Sequence, residues 1–175
     1  MLRIALIYGG IAGAIVISVI IAGLGLGDGA HTGSQAFGYL VMLVALSLIF
    51  IGVKNYRDRD LGGVISFAQA LGAGLAIAAV AGVIYVAVWE AYLAATDYAF
   101  MGDYAAGIIE KKKAAGVSGE DLDKLIADME KMKASYANPL MRLPMTFLEI
   151  FPVGLIVSLV SAALLRNRTF MPAKA

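Results

Sequence analysis

The chain has 175 residues, of which 61% belong to the hydrophobic set AVILMFWYC and only 15% are charged. A water-soluble fold of this size cannot bury so large an apolar share, so the composition predicts a membrane protein. The absence of cysteine and the single histidine exclude disulfides, thiolate chemistry and metal sites that need cysteines or two histidines. A net charge of +1 argues against nucleic acid as a partner.

Four long apolar runs predict four transmembrane helices. The first is too long for the apolar region of a signal peptide, so we expect it to be retained. Together the runs predict an all-α membrane protein, a four-helix transmembrane bundle that forms a single membrane domain over residues 1–175. The predicted spans are residues 4–26, 37–53, 67–94 and 145–165.

A short charged segment follows the second run and is predicted to end that helix. It contains Lys54, Arg57 and Arg59, interleaved with two aspartates, and Gly62-Gly63 then turns the chain. Because the acids nearly neutralise the bases, the segment is interpreted as an interfacial anchor rather than an anionic-lipid site.

A polar segment of about residues 97–137 separates the third and fourth runs and predicts an αα-hairpin. Apolar residues recur at helical spacing in both halves, first through Phe100 and Tyr104 and then through Leu122 and Met129. Gly116 is predicted to end the first helix of the hairpin. The second helix is expected to start with a capping box formed by Ser118 and Asp121.

The distribution of lysine and arginine predicts the orientation. Basic residues flank the predicted spans at both termini and after the second span, whereas the loop after the first span has none. The polar hairpin holds as many basic residues, but most of them lie further from the spans and among acids, so the residues that flank the spans decide the prediction. Because cationic residues are retained in the cytoplasm, both termini are expected to be cytoplasmic and the hairpin extracytoplasmic.

Small residues repeat at four-residue spacing along two of the predicted spans, at Gly9 and Gly13 and at Gly74, Ala78 and Gly82. In lipid, close approach of helix backbones supplies the attraction between helices. Two interpretations stay open: packing among the four spans of one chain, or an interface between copies of the chain.

Glu90 and Glu149 are the charges inside the apolar runs, and they form a candidate polar cluster with Arg142. The residues permit three roles: a clamp in which Arg142 binds a carboxylate, a proton or cation site, or plain interfacial solvation. His31, in a loop rich in glycine, is interpreted as a solvated residue.

Five blocks of the chain have a distinctive sequence. They are Tyr56-Arg57-Asp58 with Leu61-Gly62-Gly63, the run from Tyr85 to Glu90, Asn138-Pro139-Leu140, the run from Arg142 to Gly154, and the run from Ser161 to Arg166. In these blocks the chain resembles a bacterial family of small membrane proteins catalogued as domain of unknown function 4199. The resemblance implies a four-span protein of the bacterial inner membrane and no assigned activity.

We therefore expect a non-catalytic structural or accessory protein without a cofactor. Its expected partners are the lipid bilayer and either itself or another membrane or periplasmic protein, and not nucleic acid. The alternative function is a small proton- or cation-translocating protein that uses Glu90 and Glu149.

Overall fold

The structure is a computed structural model that describes residues 1–25 and 35–173. Every regular element within these residues is helical. Contacts between Cα atoms divide the chain into two compact units, Met1–Val88 with Phe147–Ala175, and Trp89–Thr146. The helices are α1 (Leu2–Gly25), α2 (Gln35–Leu46), α3 (Leu48–Asn55), α4 (Phe67–Ala95), α5 (Phe100–Ala114), α6 (Glu120–Ala137) and α7 (Pro139–Leu165).

Four helical segments in the described chain are long and apolar enough to cross a membrane. They expose large apolar side chains, such as Leu6, Val44 and Ile156, that water would not tolerate in such number. The predicted all-α class with four membrane-spanning helices is thus confirmed. The segments are Leu2–Leu24, Ala36–Asp60, Phe67–Ala95 and Pro139–Leu165.

The second segment continues beyond its predicted end at residue 53. Helix α3 passes into a single π-helical turn, Tyr56–Asp60. The chain leaves the helix only at Gly62 and Gly63, whose φ angles are 64° and 89°. The Gly63 N–H donates to the Arg57 carbonyl at 2.8 Å. The charged side chains therefore do not end the helix; the two glycines do, because they adopt positive φ without steric cost.

Helix α4 lies against α1 through glycines. A Cβ atom added at Gly9 would lie 2.6 Å from the Ile77 carbonyl oxygen, and one added at Gly13 would lie 2.6 Å from that of Ala81. Since real Cβ atoms do not approach a backbone so closely, these positions have room only for glycine. The spacing of Gly9 and Gly13 thus brings the backbones of α1 and α4 together within one chain.

Helix α4 also packs closely against α7 inside the first unit. Gly82 faces the Phe147 ring, with 2.5 Å between a built Cβ and its Cε2 atom. Ala78 and Ile77 are almost fully buried, as expected for a helix with neighbours on several sides. The close pairs are Gly74 with Ser158, Ala78 with Gly154, and Gly82 with Phe147.

In the second unit, α5 and α6 follow each other across a short turn and pack together. Helix α5 ends in a Schellman motif, in which the Val117 N–H donates to the Lys112 carbonyl at 3.0 Å and the Gly116 N–H to that of Lys113 at 2.9 Å. Gly116 has φ of 88°, which confirms it as the residue that ends this helix.

The capping box expected at the start of α6 is wrong. Gly119, with φ of 62°, is the N-cap residue, and no side chain caps the helix. The glycine reaches a backbone conformation that the chain needs here, so Ser118 lies one position too early to serve as the cap.

Helix α7 begins at Pro139, earlier than the predicted start at residue 145. Proline suits the first helical position because its missing N–H would have no partner there. The Asn138 side chain accepts a hydrogen bond from the Leu140 N–H at 3.0 Å. These local signals extend the helix backwards and place Arg142 in its first turn.

Candidate functional site

An ion pair between Glu90 and Arg142 forms the centre of the candidate site. Arg142 Nε donates to Glu90 Oε1 at 2.7 Å, and Nη2 donates to Oε2 at 2.7 Å. The guanidinium therefore binds both carboxylate oxygens, the geometry that lysine cannot reproduce. The Arg142 side chain is 4% exposed and that of Glu90 24%. Both residues belong to the second unit.

A third hydrogen bond connects the guanidinium to the helical hairpin. Arg142 Nη1 donates to the Tyr136 carbonyl at 2.9 Å, in the last turn of α6. Such carbonyls have no partner inside the helix, so the arginine satisfies one of them. Arg142 thereby connects α4, α6 and α7 within the second unit.

Aromatic rings surround this ion pair. The guanidinium carbon of Arg142 lies 5.0 Å from the centroid of the Tyr98 ring and 5.7 Å from that of Tyr136. Trp89 Nε1 donates to the Tyr136 hydroxyl at 2.6 Å, and the Trp89 ring stacks on Tyr92 at 5.3 Å. Cation–π contacts of this kind stabilise an arginine that has been removed from water.

The backbone before α5 is strained where it delivers Tyr98 to the guanidinium. Asp97 and Tyr98 have φ angles of 50° and 56°, which L side chains rarely adopt. The Tyr98 N–H closes the end of α4 by donating to the Leu93 carbonyl at 2.8 Å. Two consecutive residues in this conformation indicate that the surrounding contacts hold the turn in place.

A surface cavity of about 420 Å³ opens beside Arg142 in the second unit. Its walls come from the turn between α4 and α5, the start of α5, the end of α6 and the start of α7. Among the described residues, Arg142 and Lys133 are its charged lining residues and no acidic side chain lines it. The other principal lining residues are Tyr98, Met101, Tyr136 and Pro139.

Glu149 has a different environment from that of Glu90. It belongs to the first unit, where the Tyr85 hydroxyl donates to its Oε2 at 3.1 Å. Its side chain is exposed on the surface of α7. The structure thus brings Glu90 and Arg142 together as a pair and gives Glu149 a hydroxyl partner.

Arg57 is a second buried cation, in the first unit, and its role was not predicted from the sequence. It is fully buried, whereas the segment was expected to be an interfacial anchor. Its Nη1 donates to the Phe170 carbonyl at 2.9 Å, and its Nη2 donates to that of Met171. Asp58 accepts from Arg57 Nε at 2.7 Å and also pairs with Lys54. Because acceptors within the chain surround it, Arg57 holds the segment after α7 rather than contacting lipid headgroups.

Polar side chains within the spans are satisfied locally. Ser158 Oγ donates to the Gly154 carbonyl at 2.7 Å, and Ser161 Oγ to that of Val157 at 2.6 Å. Within residues 1–25 and 35–173, every buried side-chain nitrogen or oxygen has a hydrogen-bond partner. These hydroxyls are therefore committed to their own helix backbone.

His31 and the acidic side chains are the remaining residues that could bind a metal ion. His31 and its loop lie outside the described residues. Within the part of the chain that is described, no group of three or more His, Cys, Asp or Glu side chains could hold a metal ion.

Four helices long and apolar enough to span a bilayer define a multi-pass membrane protein. The chain belongs to the family described as a protein of unknown function, DUF4199, whose model matches residues 4–167. This match confirms the resemblance seen in the sequence blocks. No curated protein and no solved structure matches the chain.

Sequence reasoning missed three contributors to these sites. Tyr136 contacts Arg142 through both its ring and its carbonyl. Trp89 donates to the Tyr136 hydroxyl. Asn55 donates to the Tyr8 hydroxyl. The signal in the sequence is a side chain that carries a polar atom at a position where the helix pattern expects an apolar residue. Such a side chain needs a hydrogen-bond partner when it is buried.

Proposed function

We propose that this chain is a non-catalytic structural or accessory component of the bacterial inner membrane, which binds a membrane or periplasmic partner or self-associates. The observation that carries the proposal is the bidentate Glu90–Arg142 pair. A carboxylate that accepts two hydrogen bonds from one guanidinium is held in place and is poorly suited to exchanging protons or cations. The charges of this site thereby serve the architecture of the second unit.

The hairpin supplies a surface suited to a partner. Along α6, Leu125, Ile126 and Met132 stay only half-buried although α5 packs against the helix. An apolar stripe that stays accessible between polar residues can form the core of a protein interface, whose rim is polar. The partner surface is therefore assigned to this stripe.

Site-specific photo-crosslinking in cells tests the assignment. A photoreactive residue at Ile126 should give a discrete protein adduct, either a dimer of this chain or a complex with one partner. The same residue at Asp128, which is exposed on α6, serves as the control and should give none. Lipid adducts alone at Ile126, together with a strictly monomeric purified protein, would contradict the proposal.

The alternative function is proton or cation translocation, and one observation favours it. Glu149 is an exposed carboxylate within a membrane-spanning segment, and such residues are commonly functional. The polar side chains of the spans weaken this alternative. Ser158 and Ser161 bind their own backbone, so they offer no relay to Glu149.

Liposome flux separates the two functions. If the protein is an accessory component, the wild-type protein and the Glu149→Gln variant should both show no pH-linked flux above that of empty liposomes. Under the alternative, wild-type protein carries a flux that Glu149→Gln abolishes while the melting temperature is preserved.

The orientation is also part of the proposal, with both termini cytoplasmic and the α5–α6 hairpin extracytoplasmic. It rests on the basic residues that flank the spans. A reporter inserted after Lys124 that is active only outside the cytoplasm should be active, and a cytoplasm-only reporter should not. Activity of the cytoplasmic reporter would reverse the orientation.

A further inference from the structure

We infer that the cavity beside Arg142 is a binding site for an anionic amphiphile of the bilayer, a molecule with a phosphate or carboxylate headgroup and an acyl chain. The volume of about 420 Å³ falls in the range of small-molecule sites. A cavity of this volume can hold one headgroup together with the first part of an acyl chain. The inference concerns a ligand rather than a protein partner, so it is independent of the proposed function.

The lining has the charge that such a headgroup requires. Arg142 and Lys133 contribute two cations, and no acidic side chain of the described chain lines the cavity. Glu90 and Glu130, which pair with these cations, lie outside the lining. The pair of Lys133 with Glu130 is solvent-exposed, so it competes only weakly with a bound anion.

Arg142 is prepared for an anion by the contacts it already makes. An arginine carries five N–H donors. Three of them bind Glu90 and the Tyr136 carbonyl, so within the described residues one hydrogen on each terminal nitrogen stays available. The ion pair and the Tyr98 ring hold the guanidinium in a fixed orientation, so little entropy is lost when an anion binds.

The rest of the lining is mainly apolar, and it lies beside the membrane-spanning helices, where an acyl chain would be placed. Met101 and Pro139 give the cavity an apolar wall. The cavity lies where α4 ends and α7 begins, and both helices are membrane-spanning segments that adjoin a polar hairpin. At such a junction an amphiphile can keep its headgroup with the polar residues and its chain with the apolar ones.

Two glycines of α5 provide a matched test of occupancy. Gly102 lines the cavity and Gly107 does not, and at both positions an added Cβ would meet no described residue within 4 Å. Gly102→Leu should fill the cavity, whereas Gly107→Leu should add the same side chain to the same helix without blocking it. Because leucine favours helix more than glycine does, both variants are expected to fold.

The single tryptophan of the chain reports binding. Trp89 donates to the hydroxyl of Tyr136, which lines the cavity, so an occupant changes its surroundings. The protein is placed in phosphatidylcholine nanodiscs and titrated with dodecyl phosphate, with dodecyl maltoside as the neutral amphiphile and sodium phosphate as the free anion. Native mass spectrometry counts the bound dodecyl phosphate.

Dodecyl phosphate should shift the Trp89 emission saturably and bind as one molecule to the wild type and to Gly107→Leu. Gly102→Leu should weaken this binding by about tenfold or more, since the leucine occupies the space of the ligand. Lys133→Gln should weaken it by roughly threefold to fivefold, as expected for a partly exposed charge. Lys131→Gln, on the exposed side of α6, should leave it unchanged.

Three results would overturn the inference. Equal binding by Gly102→Leu and Gly107→Leu would show that the amphiphile does not enter the cavity. An equal response to dodecyl maltoside would remove the requirement for an anion. Saturation by sodium phosphate at the same concentration would make the occupant a free anion rather than an amphiphile.

Discussion

At the residue scale, the two buried arginines donate hydrogen bonds to acceptors within the chain. Arg142 binds both oxygens of Glu90, and Arg57 binds backbone carbonyls after α7. In a medium of low polarity an unpaired charge is far more costly than a paired one. Each arginine is therefore a point at which a single substitution should have a large effect.

We expect Arg142→Lys to lower the free energy of unfolding by roughly 2–4 kcal/mol, because lysine keeps the charge but loses the bidentate geometry and the bond to Tyr136. Thermal unfolding in detergent measures the change. Arg59→Lys is the control, since Arg59 is exposed, and should change stability by less than about 0.5 kcal/mol. Equal effects of the two substitutions would remove the structural role from the ion pair.

Removing the strain in the turn before α5 should raise the stability of the protein, in contrast to Arg142→Lys. Asp97→Gly should raise stability by about 0.5–1 kcal/mol, because glycine adopts positive φ without the steric cost that Asp97 bears. Ala99→Gly is the control, since Ala99 has φ of −66° and bears no positive-φ strain that glycine could relieve. The melting temperature checks both variants. A loss of stability in Asp97→Gly would mean that the aspartate side chain contributes more than the strain costs.

At the scale of elements, small residues decide which helices approach closely. The sequence predicted that Gly9, Gly13 and the stripe Gly74, Ala78 and Gly82 pack against helices, and it left open whether the helices belong to one chain or to two. In the structure each position faces a neighbour of the same chain. Four-residue spacing identifies a packing face, but the partner depends on contacts that are distant in sequence.

We expect Gly13→Leu to destabilise the protein by about 3 kcal/mol or more, because its side chain would start 2.6 Å from a backbone oxygen, which cannot move aside as a side chain can. Gly10→Leu is the matched control on the same helix. A Cβ at Gly10 meets nothing within 4 Å, so we expect no loss of stability. The amount of folded protein recovered in detergent and its melting temperature test the pair. If both variants are equally stable, close packing of α1 on α4 is wrong.

Helix ends also show the limits of local reasoning. Gly116 was correctly predicted to end α5, because a Schellman motif depends on a few adjacent residues. The predicted start of α6 was wrong, because the N-cap residue is Gly119. Its positive φ angle, which identifies it, is seen only in the structure. The early start of α7 was missed although Asn138 and Pro139 carried the signal.

At the scale of the whole molecule, the segment after α7 contacts α3 and the π-helical turn of the same unit. Arg57 donates to the carbonyls of Phe170 and Met171, and the Phe170 ring meets that of Phe50 edge to face at 6.3 Å. These contacts join residues that are more than a hundred positions apart. They tie the last described residues into the packing of the first unit.

Arg57→Gln should therefore release this segment. The substitution leaves carbonyls without their donors, and we expect backbone amides in residues 166–173 to exchange with deuterium on the order of tenfold faster. Arg59→Gln, which removes an exposed charge from the same turn, should leave the exchange unchanged. Hydrogen exchange measured by mass spectrometry in detergent distinguishes the two. Unchanged exchange in Arg57→Gln would mean that other contacts hold the segment.

The membrane class, the four spans and the family were evident from the sequence alone, because apolar run length and composition are local properties that the bilayer imposes directly. The pairing of Arg142 with Glu90, the burial of Arg57 and the cavity beside Arg142 were decided only by the tertiary structure. Each of these joins residues from separate helices, and no spacing along the chain records which side chains meet when the helices pack.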